Sequence, residues 1–203
     1  MAISSRKERD RQLRRADIFK AAEHLFAVKG YHKATIRDIA KEAQYAIGTV
    51  YLHFKDKEDL YFALLEEKIK SLFFTIKDKT SQTKEARKKL EILVHETLVF
   101  FENNQNFFQI FASEQSEVVA ERKVMGSSIG VQMQEYVVGL IKYAQGQGIV
   151  SKDFKAGQLG DVLVSMLKTI GIKWLQEKDN KKESLADSSR VIIRLFLNGA
   201  ANK

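Results

Sequence analysis

Proline and cysteine are absent from the 203 residues, and glycine occurs only 11 times. Without proline and with little glycine, the tight turns that every hairpin of an all-β fold requires are missing. Leu, Ala, Lys, Glu and Gln are plentiful instead, so the chain reads as all-α. Without cysteine there are no disulfides, thiolate metal sites or thiol nucleophiles, which suits a reducing compartment. No run reaches the roughly 18 to 20 apolar residues of a membrane span, and the opening "MAISSRKERDRQLRRADIF" is charged where a signal peptide is apolar. A soluble, cytoplasmic protein without a membrane partner is expected. There is no glycine-rich nucleotide loop and no His-Glu-x-x-His, and His24, His32, His53 and His95 are scattered. No acid–base pair, metal set or cofactor site emerges, so an enzyme is not expected.

What is present is charge, unevenly placed. Of the net +8, residues 1–57 hold 13 Lys/Arg against 7 Asp/Glu, a balance of +6, leaving 21 against 19, or +2, for the remainder. The asymmetry suggests a polyanion-binding module followed by a nearly neutral body. A solvated basic tail is the alternative.

Apolar spacing then divides the chain. Ile18, Ala22, Leu25 and Phe26 mark one face of a helix over about 11–29, with Gly30 as its stop. Thr35 as N-cap with Asp38 three residues on opens a second helix over 36–43. Val50 and Phe54 share a face of a third, over 46–54. From Lys57 the stripe Leu60, Leu64, Ile69, Leu72 and Phe73 needs about six turns, and further helices are expected over 84–103, 105–113, 118–145, 156–178 and 184–199.

On a helical wheel Phe54 falls with Val50, whereas Gly48, Leu52 and Lys55 lie on the opposite side, flanked by Thr49 and Tyr51. A small, hydroxylated and cationic outer face following a capped short helix is a helix-turn-helix arrangement. Here the chain resembles the TetR (tetracycline repressor) family of transcriptional regulators. The resemblance covers about residues 15–65 and is carried by "FAVKGY", "TIRDIA" and "GTVYLHFKDKEDL". It implies a three-helix DNA-binding domain at 1–57, and a larger helical domain at 58–203 for effector binding and dimerisation.

The same likeness implies DNA contacts from Thr35, Arg37, Ile47, Gly48, Thr49, Tyr51, Leu52 and His53, with Tyr51 and Lys57 on phosphates. Lys55 shares the outer face. Two positions depart from the family's pattern: Gln44 stands where the turn usually has Gly, and Ala46 where a Ser or Thr cap is usual. Tyr45 between them is expected to point partly toward DNA. In the basic arm, Arg9, Arg11, Arg14 and Arg15 are candidate backbone or minor-groove contacts. Packing of Tyr51 on the first helix and a purely capping role for Thr35 are the competing assignments.

A single helix-turn-helix makes few base contacts, so a homodimer on a palindromic double-stranded operator is expected. Leu159, Val162, Leu163, Met166, Ile170 and Trp174 in one stripe, with Leu185, Ile192, Leu195 and Phe196 in the other, are the candidate interface, by resemblance a four-helix bundle; ordinary core within one chain is the alternative, and some of them serve it. Phe73, Phe74, Phe100, Phe101, Phe107, Phe108 and Phe111 exceed what single helical faces bury. With Met125, Met133 and Tyr136 they are candidate walls of a large apolar pocket for a small lipophilic effector, with a plain aromatic core as the alternative for any one of them. The stretches "GTVYLHFKDKEDLYFALLEEKIKSLF" and "IKWLQEK" are also similar to the family's fatty-acid-degradation regulators, which implies release by long-chain acyl-coenzyme A, with Arg122 and Lys123 toward its phosphates. Two readings stay open beside this one. The first is a sensor of lipophilic drugs with Glu96, Glu102 or Glu114 as counter-charge; the second is a lipid-binding adaptor with a weakened helix-turn-helix.

Overall fold

The computed structural model describes residues 2–112, 126–177 and 184–199, and every regular element among them is helical. The first helix, α1 (Ala2–Lys29), begins a full two turns before the predicted start. The arm is built of good helix formers, and Gln12 donates back one turn to Glu8 at 3.4 Å. The apolar pattern therefore marked where α1 becomes buried, not where it begins. Gly30 ends it in a left-handed conformation, φ 78°, with its N–H on the Phe26 carbonyl at 3.0 Å.

Helix α2 (Ile36–Glu42) carries the predicted capping box: Thr35 Oγ1 accepts from the Asp38 N–H, and the Thr35 N–H donates to the Asp38 carboxylate. That hydrogen bond, aided by Lys29 at 3.5 Å, holds the Asp38 carboxyl below its ordinary pKa. Helix α3 is shorter than expected, Ile47–Tyr51, with Leu52 to Phe54 completing the turn. It is anchored by Val50 and Phe54, which are buried, and the Phe54 ring sits 5.3 Å from that of Phe19 on α1.

Helix α4 (Lys57–Ser81) is capped by Asp56, whose carboxylate accepts from the Asp59 N–H at 2.8 Å. The predicted stripe is buried, joined by Tyr61, Leu65 and Ile76. In the larger domain α4 packs along α5 (Ala86–Asn103), and both pack on α7 (Ser128–Gly146). Helix α8 (Ala156–Gln176) lies on α5, α6 (Gln105–Ala112) and α7, while α6 also packs on α1. A 3-10 turn, Leu185–Ser188, leads into α9 (Ser189–Gly199), both against α5. Of the helix predicted over 118–145, the stretch 118–125 lies outside the described residues.

The start of α4 is where the two parts are fastened. The Lys57 ammonium donates to the carbonyls of Tyr31 at 2.8 Å, Ala34 at 3.1 Å and His32 at 3.3 Å, and sits 4.4 Å from the Tyr31 ring centroid. All three N–H directions are used, so Lys57 pins the α1–α2 turn to α4 and is not a free phosphate contact as the resemblance implied. Partial burial lowers its pKa. Replacing it by methionine keeps the stem but leaves three carbonyls without a charged donor. Lys57→Met should lower stability by about 2 kcal/mol in urea unfolding, while leaving the salt dependence of DNA binding unchanged.

Candidate nucleic-acid interface and effector region

The outer face of α3 is open. Tyr51 is 53% exposed, Leu52 79% and Ile47 42%; Lys55 and Arg37 are exposed too, and Thr49 is half-buried. A Cβ built on Gly48 meets nothing within 4 Å, so no contact inside the protein requires a glycine there. Glycine in a helix costs roughly 1 kcal/mol against alanine, and the reason for it must lie with whatever approaches from outside. Thr35 is exposed and serves as the cap of α2.

Gln44 takes the left-handed conformation expected where relatives have glycine, with φ 59°. Ala46 is the N-cap of α3 and makes no side-chain cap bond. The turn is therefore held by other means, and Tyr45 is the means. Its hydroxyl donates to the Asp17 carboxylate at 2.8 Å and its ring packs on the core. The expectation that Tyr45 points toward DNA is corrected: the hydrogen bond to α1 turns it inward and raises its pKa.

The arm contributes differently from one arginine to the next. Arg15 is spent on packing, its guanidinium 4.9 Å from the Phe19 ring centroid and 5.0 Å from that of Phe54. Arg9, Arg11 and Arg14 are exposed. Half-buried His53 has its pKa lowered by desolvation, then by the fields of Arg11, Arg15 and Arg14, so its neutral form is favoured.

A salt bridge joins this module to the larger domain. Lys68 on α4 meets Glu23 on α1 at 2.9 Å and donates to Asn104 Oδ1 at 2.8 Å. Asn104 forms the elbow between α5 and α6, and its Nδ2 donates to the Phe100 carbonyl at 2.9 Å. Three elements thus meet on one ammonium, at the edge of a cleft of about 990 Å³ between the parts.

Residues 18–64 match the family of bacterial regulatory proteins called tetR. Over that stretch the chain is a tetR-family domain. A fatty acid metabolism regulator protein of Bacillus subtilis is 26% identical over 197 residues, covering 92% of this chain and 95% of that one. Among solved structures, a fatty acid degradation regulator FadR from Bacillus halodurans superposes with TM-score 0.83 at 23% identity, over 94% of this chain and 97% of that one. FadR from Bacillus subtilis in complex with stearoyl-CoA gives 0.82 at 22%, over 91% and 98%. At these identities the structural likeness establishes the fold.

Among the described residues of the larger domain, the predicted aromatics form two packed groups. Phe73 stands edge-on to Tyr136 at 5.6 Å, and the Tyr136 hydroxyl lies 2.6 Å from Thr80 Oγ1. Phe101 and Phe108 stack at 4.0 Å, Phe100 and Phe107 meet at 5.7 Å, and Phe107 and Phe108 are fully buried. A Cβ on Gly171 of α8 would come within 2.6 Å of the Phe108 ring, so that ring lies directly on the helix backbone. Met133 is half-buried on the same core, and Phe74 is 53% exposed. The side chains of Phe111 and Met125 lie outside the described residues, as do Glu114, Arg122 and Lys123. Glu96 is paired with Lys79 at 2.7 Å, and Glu102 accepts from Ser184 Oγ at 2.8 Å and the Ala186 N–H at 3.3 Å. Neither is an idle counter-charge.

The candidate dimer residues also divide. Leu159, Leu163, Trp174, Leu185, Ile192 and Phe196 are buried within the protomer, which corrects their assignment to a surface between subunits. Because α8 and α9 are apolar on more than one side, their stripes alone did not say which side faces outward. Leu195 is 59% exposed, Met166 and Ile170 are half-buried, and the free face is completed by Val162 at 52% and Val191 at 56%, the latter missed in the sequence.

Filling the open position on α3 separates folding from recognition. Gly48→Ala should raise the melting temperature by a few degrees, since helix propensity improves by up to about 1 kcal/mol. The same variant should bind operator DNA at least tenfold more weakly in an anisotropy titration.

Proposed function

We propose that the protein is a homodimeric transcriptional repressor that holds a palindromic operator with two copies of α3 and is released by a long-chain acyl-coenzyme A. The observation that carries the reading is the outward face of α3, where a glycine with no internal reason sits among exposed Ile47, Tyr51 and Leu52 on a module of net charge +6. Thr35, Arg37, Gly48, Thr49, Tyr51, Leu52, His53 and Lys55 would face the duplex, with Arg9, Arg11 and Arg14 along its backbone. Lys57, Tyr45 and Arg15 support these from within. Gln44 and Ala46 shape the turn.

The effector class is supported by the relatives named for fatty acid metabolism and by the stearoyl-CoA complex of one of them. The aromatic region here suits an acyl chain in composition, being rich in rings. Of the described candidates for a lipophilic cation's counter-charge, Glu96 and Glu102 are both already engaged. Separation of the Phe101–Phe108 stack would act directly on the Asn104 elbow, and through Lys68 on α1 and α4. Weakening that junction changes the spacing of the two recognition helices, and so favours a dimer that no longer fits two half-sites.

The test is a titration of the protein and its own upstream DNA with stearoyl-CoA, with coenzyme A alone as control. Stearoyl-CoA should weaken DNA binding, and DNA should weaken stearoyl-CoA binding by the same factor. Unequal factors would rule out simple linkage, and release by coenzyme A alone would rule out the acyl chain as the signal.

Dimerisation is assigned to Val162, Met166, Ile170, Val191 and Leu195. Replacing Leu195 with arginine, where the side chain is already solvent-facing in the protomer, should leave the circular dichroism unchanged. The same variant should sediment as a monomer and lose cooperative operator binding.

A further inference from the structure

Reading a base pair by hydrogen bonds takes a side chain that offers two donors or acceptors in a fixed geometry. Amides serve for adenine, guanidinium or ammonium for guanine, and carboxylate for cytosine. From Ile47 to Leu52 the sequence is Ile-Gly-Thr-Val-Tyr-Leu, with none of these groups. The hydroxyl of Thr49 serves any base, and Val50 is buried. At 79% exposure Leu52 is the most exposed large hydrophobic side chain among the described residues, on a basic module whose core closes without it. Gly48 lies one turn before it on the same face, with open space where a Cβ would stand. Ile47, 42% exposed, stands at the first residue of α3.

Resting on the operator-binding reading above, we infer that Leu52 and Ile47 select the operator by apolar contact with thymine methyl groups in the major groove. Of the four bases only thymine presents such a group there, so an apolar side chain lying in the groove discriminates A·T from G·C and fixes its orientation. Phosphate attraction to the basic module supplies affinity that does not depend on sequence. The apolar pair therefore has only to discriminate. Gly48 lets the backbone sink until Leu52 reaches the groove floor. Five residues of helix span roughly 7.5 Å, about two base-pair steps, so the two methyls of each half-site belong about two steps apart.

The experiment starts from the full-length protein and a random-sequence duplex pool. Selection should return inverted half-sites with two thymines at that spacing. Deoxyuridine replacing each thymine removes only the methyl, and should weaken binding about fourfold per position per half-site. Replacement of a mismatched cytosine by 5-methylcytosine should recover part of the loss. Leu52→Ala, checked for an unchanged melting temperature, should bind thymine and uracil duplexes equally at one of the two positions, and Ile47→Ala at the other. Equal affinity of the wild type for thymine and uracil operators would overturn the inference, as would full discrimination by Leu52→Ala. A pool that returns no sequence at any salt concentration would instead overturn the operator-binding reading itself.

Discussion

Three carbonyls of one interhelical turn and a single ammonium at the start of a helix set the geometry of this molecule. Lys57 gathers the carbonyls of Tyr31, His32 and Ala34, which close the α1–α2 turn, and thereby fixes where α2 and α3 stand relative to α4. Around it Phe26, Tyr31 and Tyr61 pack with ring centroids 4.8 to 5.6 Å apart, so a directional polar clamp is set into an apolar hinge. Since α4 runs on for 25 residues into the larger domain, the clamp and that domain share one continuous helix.

A second attachment shares the load. Glu23, Lys68 and Asn104 connect α1, α4 and the α5–α6 elbow with two short polar contacts, both partly sheltered from solvent. The two attachments differ in kind. The Lys57 clamp involves only the DNA-binding module and the first residue of α4, whereas Lys68 reaches the elbow flanked by four phenylalanines. One keeps the reading head intact; the other links it to the interior of the larger domain.

Much of the architecture was legible because local chemistry and global fold agree. Gly30, Thr35 with Asp38, and the Val50–Phe54 pair marked helix ends and faces within a few residues of one another, and the structure uses each as spaced. What stayed hidden was long-range. Lys57 looks like a surface cation until the carbonyls of residues some 25 positions earlier are placed around it. Tyr45 looks like a groove contact until Asp17 arrives from α1. The stripe on α8 mixed core with outward residues because that helix is apolar on both sides, and only burial separates Leu159 and Leu163 from Val162. The doubled phenylalanines did signal a surplus of rings, but not that Gly171 would let the edge of one close against a helix backbone.

On the acyl-effector reading proposed above, that contact between Phe108 and α8 would bear on selectivity. An acyl chain entering this region must first part rings that already satisfy one another, an expense that is the same for every guest. The return grows with length, at roughly 0.8 kcal/mol for each methylene removed from water. A fixed toll set against a per-carbon gain produces a threshold at a given cellular concentration: short chains remain outside, and beyond a certain length occupancy rises steeply. A closed aromatic seam can thus act as a ruler, without any residue that measures the end of the chain.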